Sequence, residues 1–536
     1  MLRPRPALVR WLELFVVVLA TAGLAGCNLV TGAAGLTVED EQDDDGGSGA
    51  ASSTGGTGGT GGQGGVGAGT TGTGGTGNAP PVEELNAVDG VSMTKISIYQ
   101  AVERPLMENG SPASSIAPVV ANREALLRVF YDVDGTFNGQ PVYARLTIGD
   151  ATPIEVQTTP SGSSSNGNLS STINFDVPGE LLTPGAGFRV ELLQPESVAT
   201  GTNPAATYPA EGLADLQLQA SGVLKVTLVP VQYNADGSGR LPDTSPAQLQ
   251  QYEDLFYAMY PITDIQLTVR QAVGWNGSLS SGGGGWSNLL NAVADLRSSD
   301  NADFDEYYYG IFEPDSSLGA YCNGGCVLGL GFVGGPSDEW AHAAIGIGFS
   351  GDTSVETAVH ELGHNHGREH APCGGVSGAD PSYPYNGAKI GAWGFNLLSG
   401  QLYGPNDHVD MMSYCDPAWI SDYNFQKIFD RVKFTVGANI YTPPAMQDLT
   451  WDRVMVGPGG TIESMSSIQL EIPPVGETVD VDVETSQGTQ QVAGRYLKYD
   501  HLEGGVIFVP PTSTPANLSR VIHAHIDGMV LSTTLP

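Results

Sequence analysis

The stretch His360-Glu361-Leu362-Gly363-His364-Asn365-His366-Gly367-Arg368-Glu369-His370 constrains this chain more than any other. Two histidines four apart on a helix lie one turn above each other, so the imidazoles of His360 and His364 can meet at one point with Glu361 beside them. A helix continued to His370 would carry that side chain away. Gly367 can take the positive φ that ends a helix and turns the chain back, which returns His370 to the same point. Three imidazoles leave one position open on a tetrahedral ion, so the spacing predicts one catalytic Zn2+ held by His360, His364 and His370, with Glu361 as general base. His366, two residues from His364, should point off the ligand face into solvent.

The text before this stretch alternates strand and helix patterns. Residues 224–232, 264–270, 307–312, 327–333 and 343–349 read as strands, and 246–258 and 287–297 as amphipathic helices. The last two strands contain glycines, which permit close backbone approach by a neighbour or a ligand. Thr353 and Glu356 have capping-box spacing at the start of the histidine helix, and Val355, Ala358, Val359 and Leu362 form its apolar stripe.

Both flanks read differently. Short alternating runs between residues 94 and 193, broken by Pro and Gly, have the pattern of an antiparallel β-sandwich that carries nothing catalytic. From about residue 442 similar runs predict a second small β-domain, in which His523 and His525 share one face of a strand and read as exposed strand histidines rather than metal ligands. Arg3, Arg5 and Arg10 precede an apolar run at 14–24, the pattern of a secretory leader. It closes on Leu24-Ala25-Gly26-Cys27, which resembles the bacterial lipobox; the resemblance implies lipidation of Cys27 and, with Asn28 following, an outer-membrane address. Residues 28–88 turn to Gly, Thr and Ser and cannot bury a core. As a tether they would reach roughly 40 to 45 Å. The formal charge of −36, from 58 acidic against 22 basic residues, excludes a nucleic-acid partner, since phosphate binding needs the opposite sign.

The extended motif His360-Glu361-x-x-His364-x-x-Gly367-x-x-His370, followed by Asp410-Met411-Met412-Ser413-Tyr414, resembles the metzincin zinc endopeptidases. The resemblance covers about residues 223–436. It implies Met412 as the methionine turn beneath the metal, Tyr414 as a resting ligand or oxyanion donor, and the strand at 327–333 as the edge on which an extended substrate pairs. Asp410 would brace the turn, His408 would be a loop histidine, and Trp419 and Tyr423 could either wall the substrate pocket or pack under the turn. The text at 393–395 and 414–419 is also similar, more loosely, to secreted bacterial mucin-degrading metalloproteases. Four cysteines remain beside Cys27, an even set suited to an oxidising compartment with three possible pairings. Cys373 lies just past the third histidine and Cys415 just past the implied methionine turn, which favours Cys373 with Cys415 and Cys322 with Cys326.

The resulting expectation is a multidomain chain: a lipoprotein leader (1–27), a linker (28–88), a β-sandwich (89–222), an α/β (α+β) metzincin-like zinc protease domain (223–441) and a C-terminal β-domain (442–536), so that two β-sandwich-like domains flank the catalytic one. The implied function is a lipid-anchored, extracytoplasmic zinc endopeptidase acting on extracellular proteins or glycoproteins, touching the membrane through its lipid only. The rivals are a surface adhesin or binding lipoprotein with a structural or inactive zinc site, and a zinc hydrolase acting on another bond.

Overall fold

A computed structural model describes residues 84–437, 449–512 and 519–535. The leader, Cys27, most of the Gly/Thr-rich tract and the expected boundary near residue 442 lie outside these. The described chain is multidomain and rich in β-sheet. Among the described residues no helix is long and apolar enough to cross a membrane.

The N-terminal part packs two antiparallel sheets face to face. One carries Leu85–Ala87, Gly187–Pro195, Val142–Ile148 and Ile154–Thr158 in that order; the other carries Ala101–Glu108, Val91–Tyr99, Ala125–Val133 and Ile173–Val177. Alternating residues such as Ile96, Ile98, Leu127, Val129, Leu146 and Val190 fill the space between them. The second sheet is extended by a hairpin from far along the chain, Gly394–Asn396 with Gln401–Tyr403, whose first strand pairs with Ala101–Glu108. The text around Trp393 thus builds the sandwich.

At the centre, Asp264–Val269, Val223–Tyr233, Glu306–Phe312 and Ala343–Ile347 run parallel, and Gly329–Gly331 closes one edge antiparallel. Both faces are covered, which explains the near-continuous apolar runs. Leu228 and Tyr309 point to a core shared with the helices Pro246–Met259, Asp352–Asn365 and Asp422–Gly437. Their neighbours Val229 and Tyr308 point to a second core with the helix Trp286–Ser299. The edge strand is shorter than the sequence pattern predicts because its flanks bond elsewhere: Val327 N–H donates to Ser281 O, and Val333 N–H to Lys498 O.

The C-terminal part departs from the expected sandwich. Its seven strands form one continuous antiparallel sheet, running Thr461–Leu470, Leu449–Gly457, Gly505–Val509, Gly488–Lys498, Glu477–Thr485, Arg520–Ile526 and Met529–Leu535. Its two outer strands come together, because a twisted sheet of this width curls around its own apolar face, here Val454, Val481, Ile507 and Ile522. Trp451, Leu497, Val506 and Phe508 instead complete the core under the helix Trp286–Ser299, so this sheet is fused to the central one. Arg453, 2% exposed, seals the joint with a forked ion pair to Asp295, which also accepts from Trp340 Nε1 at 3.1 Å. Removing the carboxylate leaves a buried guanidinium without its counter-charge. Asp295→Ala is therefore predicted to lower stability by about 2 kcal/mol, at the low end for such pairs because Asp295 is part-exposed, read as a fall in the urea midpoint.

Candidate metal centre

The helix Asp352–Asn365 carries the first two histidines. It begins earlier than the capping-box spacing predicts: Gly351, at φ +106°, is the N-cap, and Thr353 is already inside the first turn. The apolar stripe is as expected, with Val355, Ala358, Val359 and Leu362 all at or below 2% exposure. The helix ends as its glycine requires. Gly367, at φ +74°, donates to His364 O at 2.7 Å and Arg368 N–H to Gly363 O at 3.0 Å, the paired bonds of a left-handed helix stop. Arg431 finishes the end from the helix Asp422–Gly437 by donating to Asn365 O at 2.9 Å. A Cβ on Gly367 would fall 2.4 Å from the Arg431 guanidinium, so both the turn and the close approach need glycine here.

Past the stop, His370 joins His360 and His364 in one three-histidine group. Each ring is oriented by its far nitrogen. His360 Nδ1 lies 2.7 Å from Met411 O, His364 Nδ1 2.6 Å from Arg368 O, and His370 Nδ1 2.7 Å from Ser377 O. A carbonyl can only accept, so all three Nδ1 atoms carry the proton and all three Nε2 atoms keep a free lone pair. The Nε2 atoms of His360 and His364 stand 3.1 Å apart, close to the roughly 3.3 Å expected of two ligands at about 2.0 to 2.1 Å from a tetrahedral ion. Burial lowers all three imidazole pKa values, that of His360 to about 3 with the nearby His370 adding to the shift. The set is therefore neutral, the form that ligates.

His370 Nε2 and the Glu361 Oε2 oxygen are buried without a hydrogen-bond partner. Such orphans are costly unless something fills the space between them; an ion with a water molecule would, so these residues fit a metal. Glu361 itself is 3% exposed and presses on the edge strand. A Cβ at Gly329 would lie 2.3 Å from its Oε1, which accounts for a glycine there. Burial, reinforced by the negative charge of Asp500, raises its pKa well above the carboxylate range.

The turn below is braced as expected. Asp410, fully buried, accepts from Met412 N–H, Ser421 N–H and Asn424 Nδ2 at 2.8 to 2.9 Å. Met412 is 0% exposed, and a Cβ at Gly363 would meet its sulfur at 2.4 Å. Tyr414 stands beside the ligands, its ring 4.8 Å from that of His370. Cys373–Cys415 ties the third-ligand segment to this turn, and Cys322–Cys326 closes a short loop before the edge strand. Trp419 is packing: buried, stacked 4.3 Å from Tyr403, it donates to Ala101 O of the N-terminal sandwich. Tyr423 donates to Asp380 at 2.9 Å, and His408 lies in a loop against Tyr403. His523 and His525 each face a separate carboxylate, Glu484 and Asp482.

His366 contradicts the solvent-exposed reading. It is 1% exposed, stacks on Tyr307 at 4.5 Å and holds Leu362 O at 2.7 Å through Nδ1. Off the ligand face here means into the core, because the helix is covered on that side too.

The residue that sequence reasoning missed is Asp500, in the hairpin loop between Gly488–Lys498 and Gly505–Val509. Its side chain is 0% exposed, with Oδ2 3.5 Å from His364 Nε2, in one possible ligand group with Glu361 and His364. Burial opposes its charge, but His501, hydrogen-bonded to it, and His364 and His370 outweigh burial and hold its pKa below the usual range. Its only sequence signal is an acidic residue next to a histidine, with no spacing that relates it to the motif. A cavity of about 390 Å³ opens between the two parts, lined by His364, His370, Glu369 and Lys498 to Asp500.

No protein-family model matches this sequence, and no curated protein matches it.

The geometry separates the two neighbouring histidines. His370→Ala is predicted to weaken metal binding by roughly 100-fold or more, whereas His366→Ala retains one ion per chain and instead lowers stability by about 2 to 4 kcal/mol. Metal analysis after dialysis and urea unfolding check the two outcomes.

Proposed function

We propose that this chain is a zinc-dependent endopeptidase of metzincin type, held outside the cytoplasm through lipid on Cys27, that cleaves extracellular proteins or glycoproteins. The observation that carries it is the convergence of three neutral imidazole nitrogens beside the unpartnered carboxylate of Glu361. A neutral three-imidazole set suits zinc, and a purely structural site has no need of a general base. The lipobox-like Cys27 and the two disulfides support the compartment.

When bound, the ion supplies Lewis-acid activation of water and of the scissile carbonyl. Glu361, whose raised pKa the positive charge of a bound ion would bring back down, takes the attacking water's proton at Oε2 and later delivers it to the leaving amine. The Tyr414 phenol, kept protonated by burial first and nearby carboxylates second, donates to the developing oxyanion. The main-chain groups of Gly329–Gly331, at the sheet edge, hold an extended substrate by strand addition.

One observation favours a second reading, a binding lipoprotein with a closed, structural zinc site: Asp500 stands where a fourth protein ligand would. Activity decides between them and must be read with that carboxylate present and absent. Cleavage of a mixed peptide library by the zinc-loaded chain, wild type or Asp500→Ala, is predicted to fall by roughly 100-fold or more with Glu361→Gln, with the zinc content unchanged. Equal cleavage with and without Glu361, or none in either background, would refute the peptidase.

A further inference from the structure

Resting on the peptidase reading, we propose that the loop carrying Asp500 is a built-in plug: its carboxylate takes the metal's open position while its backbone takes the substrate's edge, so the site is latent until the loop withdraws.

Asp500 fills both halves of the site at once. Its N–H donates to Gly331 O at 3.1 Å, and its Oδ1 accepts from Gly331 N–H at 3.0 Å. Both main-chain groups of the residue that would bind an extended peptide are thereby used. One residue earlier, Tyr499 bridges antiparallel to Phe332, and Lys498 O accepts from Val333 N–H. This is strand addition performed by the chain on itself. The other carboxylate oxygen faces His364 Nε2 at 3.5 Å. A carboxylate is an ordinary oxygen ligand for zinc, and three imidazoles leave one place for it.

The loop can leave without dismantling a sheet. It is a hairpin connection, and the strands on either side keep their own ladders to each other and to their neighbours. Tyr499 is the fixed end, 4% exposed in the shared core with its hydroxyl taking a bond from Asn291 at 3.1 Å, so it and Lys498 keep their contacts with Phe332 and Val333 while Asp500 releases Gly331. Beyond it His501 and Leu502 are only half-buried and Glu503 is exposed. Asp500 itself lines the cavity between the two parts, which gives its displaced side chain room to move. A ligand designed only to complete a structural site would need no pairing with the edge strand.

The test uses the full chain loaded with Co2+, whose visible absorption reports both the ligand set and a bound probe. Acetohydroxamate is titrated into wild type, Asp500→Ala and Asp500→Asn. Asp500→Ala is expected to bind it roughly ten-fold or more tightly, as for a competing group that occupies the site at least nine-tenths of the time, and its cobalt spectrum should change before any probe is added. Asp500→Asn keeps an acceptor for Gly331 N–H and carries the test if the alanine variant does not fold. Affinity within about two-fold of wild type in a folded, cobalt-loaded variant overturns the plug. So does failure of both variants to fold, since a segment withdrawn in use cannot be essential to the fold. Tighter hydroxamate binding without peptide cleavage leaves the plug standing and removes the peptidase reading instead.

Discussion

The site depends on a helix that stops at Gly367. Without the left-handed stop, His370 could not return to the nitrogens of His360 and His364, and the surrounding structure is arranged to hold that stop. Arg431 reaches from the last helix of the central part to cap it, against a glycine that leaves room for no side chain. Met412, whose carbonyl accepts from Ala371 N–H at 2.9 Å, and the Cys373–Cys415 bridge fix the returning segment. The carbonyls of Met411, Arg368 and Ser377 then set each ring's tautomer. These contacts come from two neighbouring segments, the helix stop with the residues that follow it and the turn and helix over 410–431, so the three histidines are positioned where the two meet.

Local arrangement explains why so much was legible in the sequence. The spacing of His360, His364 and His370, the apolar stripe of the helix, the φ of Gly367 and the four-residue Cys322–Cys326 loop are short-range consequences of residue type, whereas the bracing by Asp410 and the Cys373–Cys415 pairing, across 42 residues, were expected through the methionine turn that the resemblance implies. The failures share a different cause. His366 reads as exposed because helical geometry tells which way a side chain points, not what lies there; Tyr307, from a strand far earlier in the chain, covers it. Thr353 lost its capping role to Gly351, whose unusual backbone starts the helix first. The C-terminal strands were recognisable as strands, yet nothing in their alternation distinguishes two stacked sheets from one that curls.

Asp500 is the strongest case of this limit. It has no motif, and its importance arises from docking one sheet against another through the core around Trp286, Trp451 and Phe508. The same docking gives the C-terminal part a role at the site, where sequence alone offered only a separate small domain. The N-terminal sandwich is joined by the Gly394–Asn396 strand and by Trp419, whose short strand pairs with Val409–Asp410 beside the turn that holds Met412. One flank therefore reaches the turn beside the candidate metal centre, and the other reaches its histidines through Asp500.

In this arrangement three histidines, and no other imidazole, would hold the ion. X-ray absorption fine structure at the zinc edge of the metal-loaded full chain tests it most directly. Three imidazole nitrogens and a light oxygen ligand at about 2.0 to 2.1 Å are expected, with one imidazole lost in His370→Ala and none lost in His366→Ala. A spectrum with fewer than three imidazoles in the wild type, or one unchanged by His370→Ala, would contradict it.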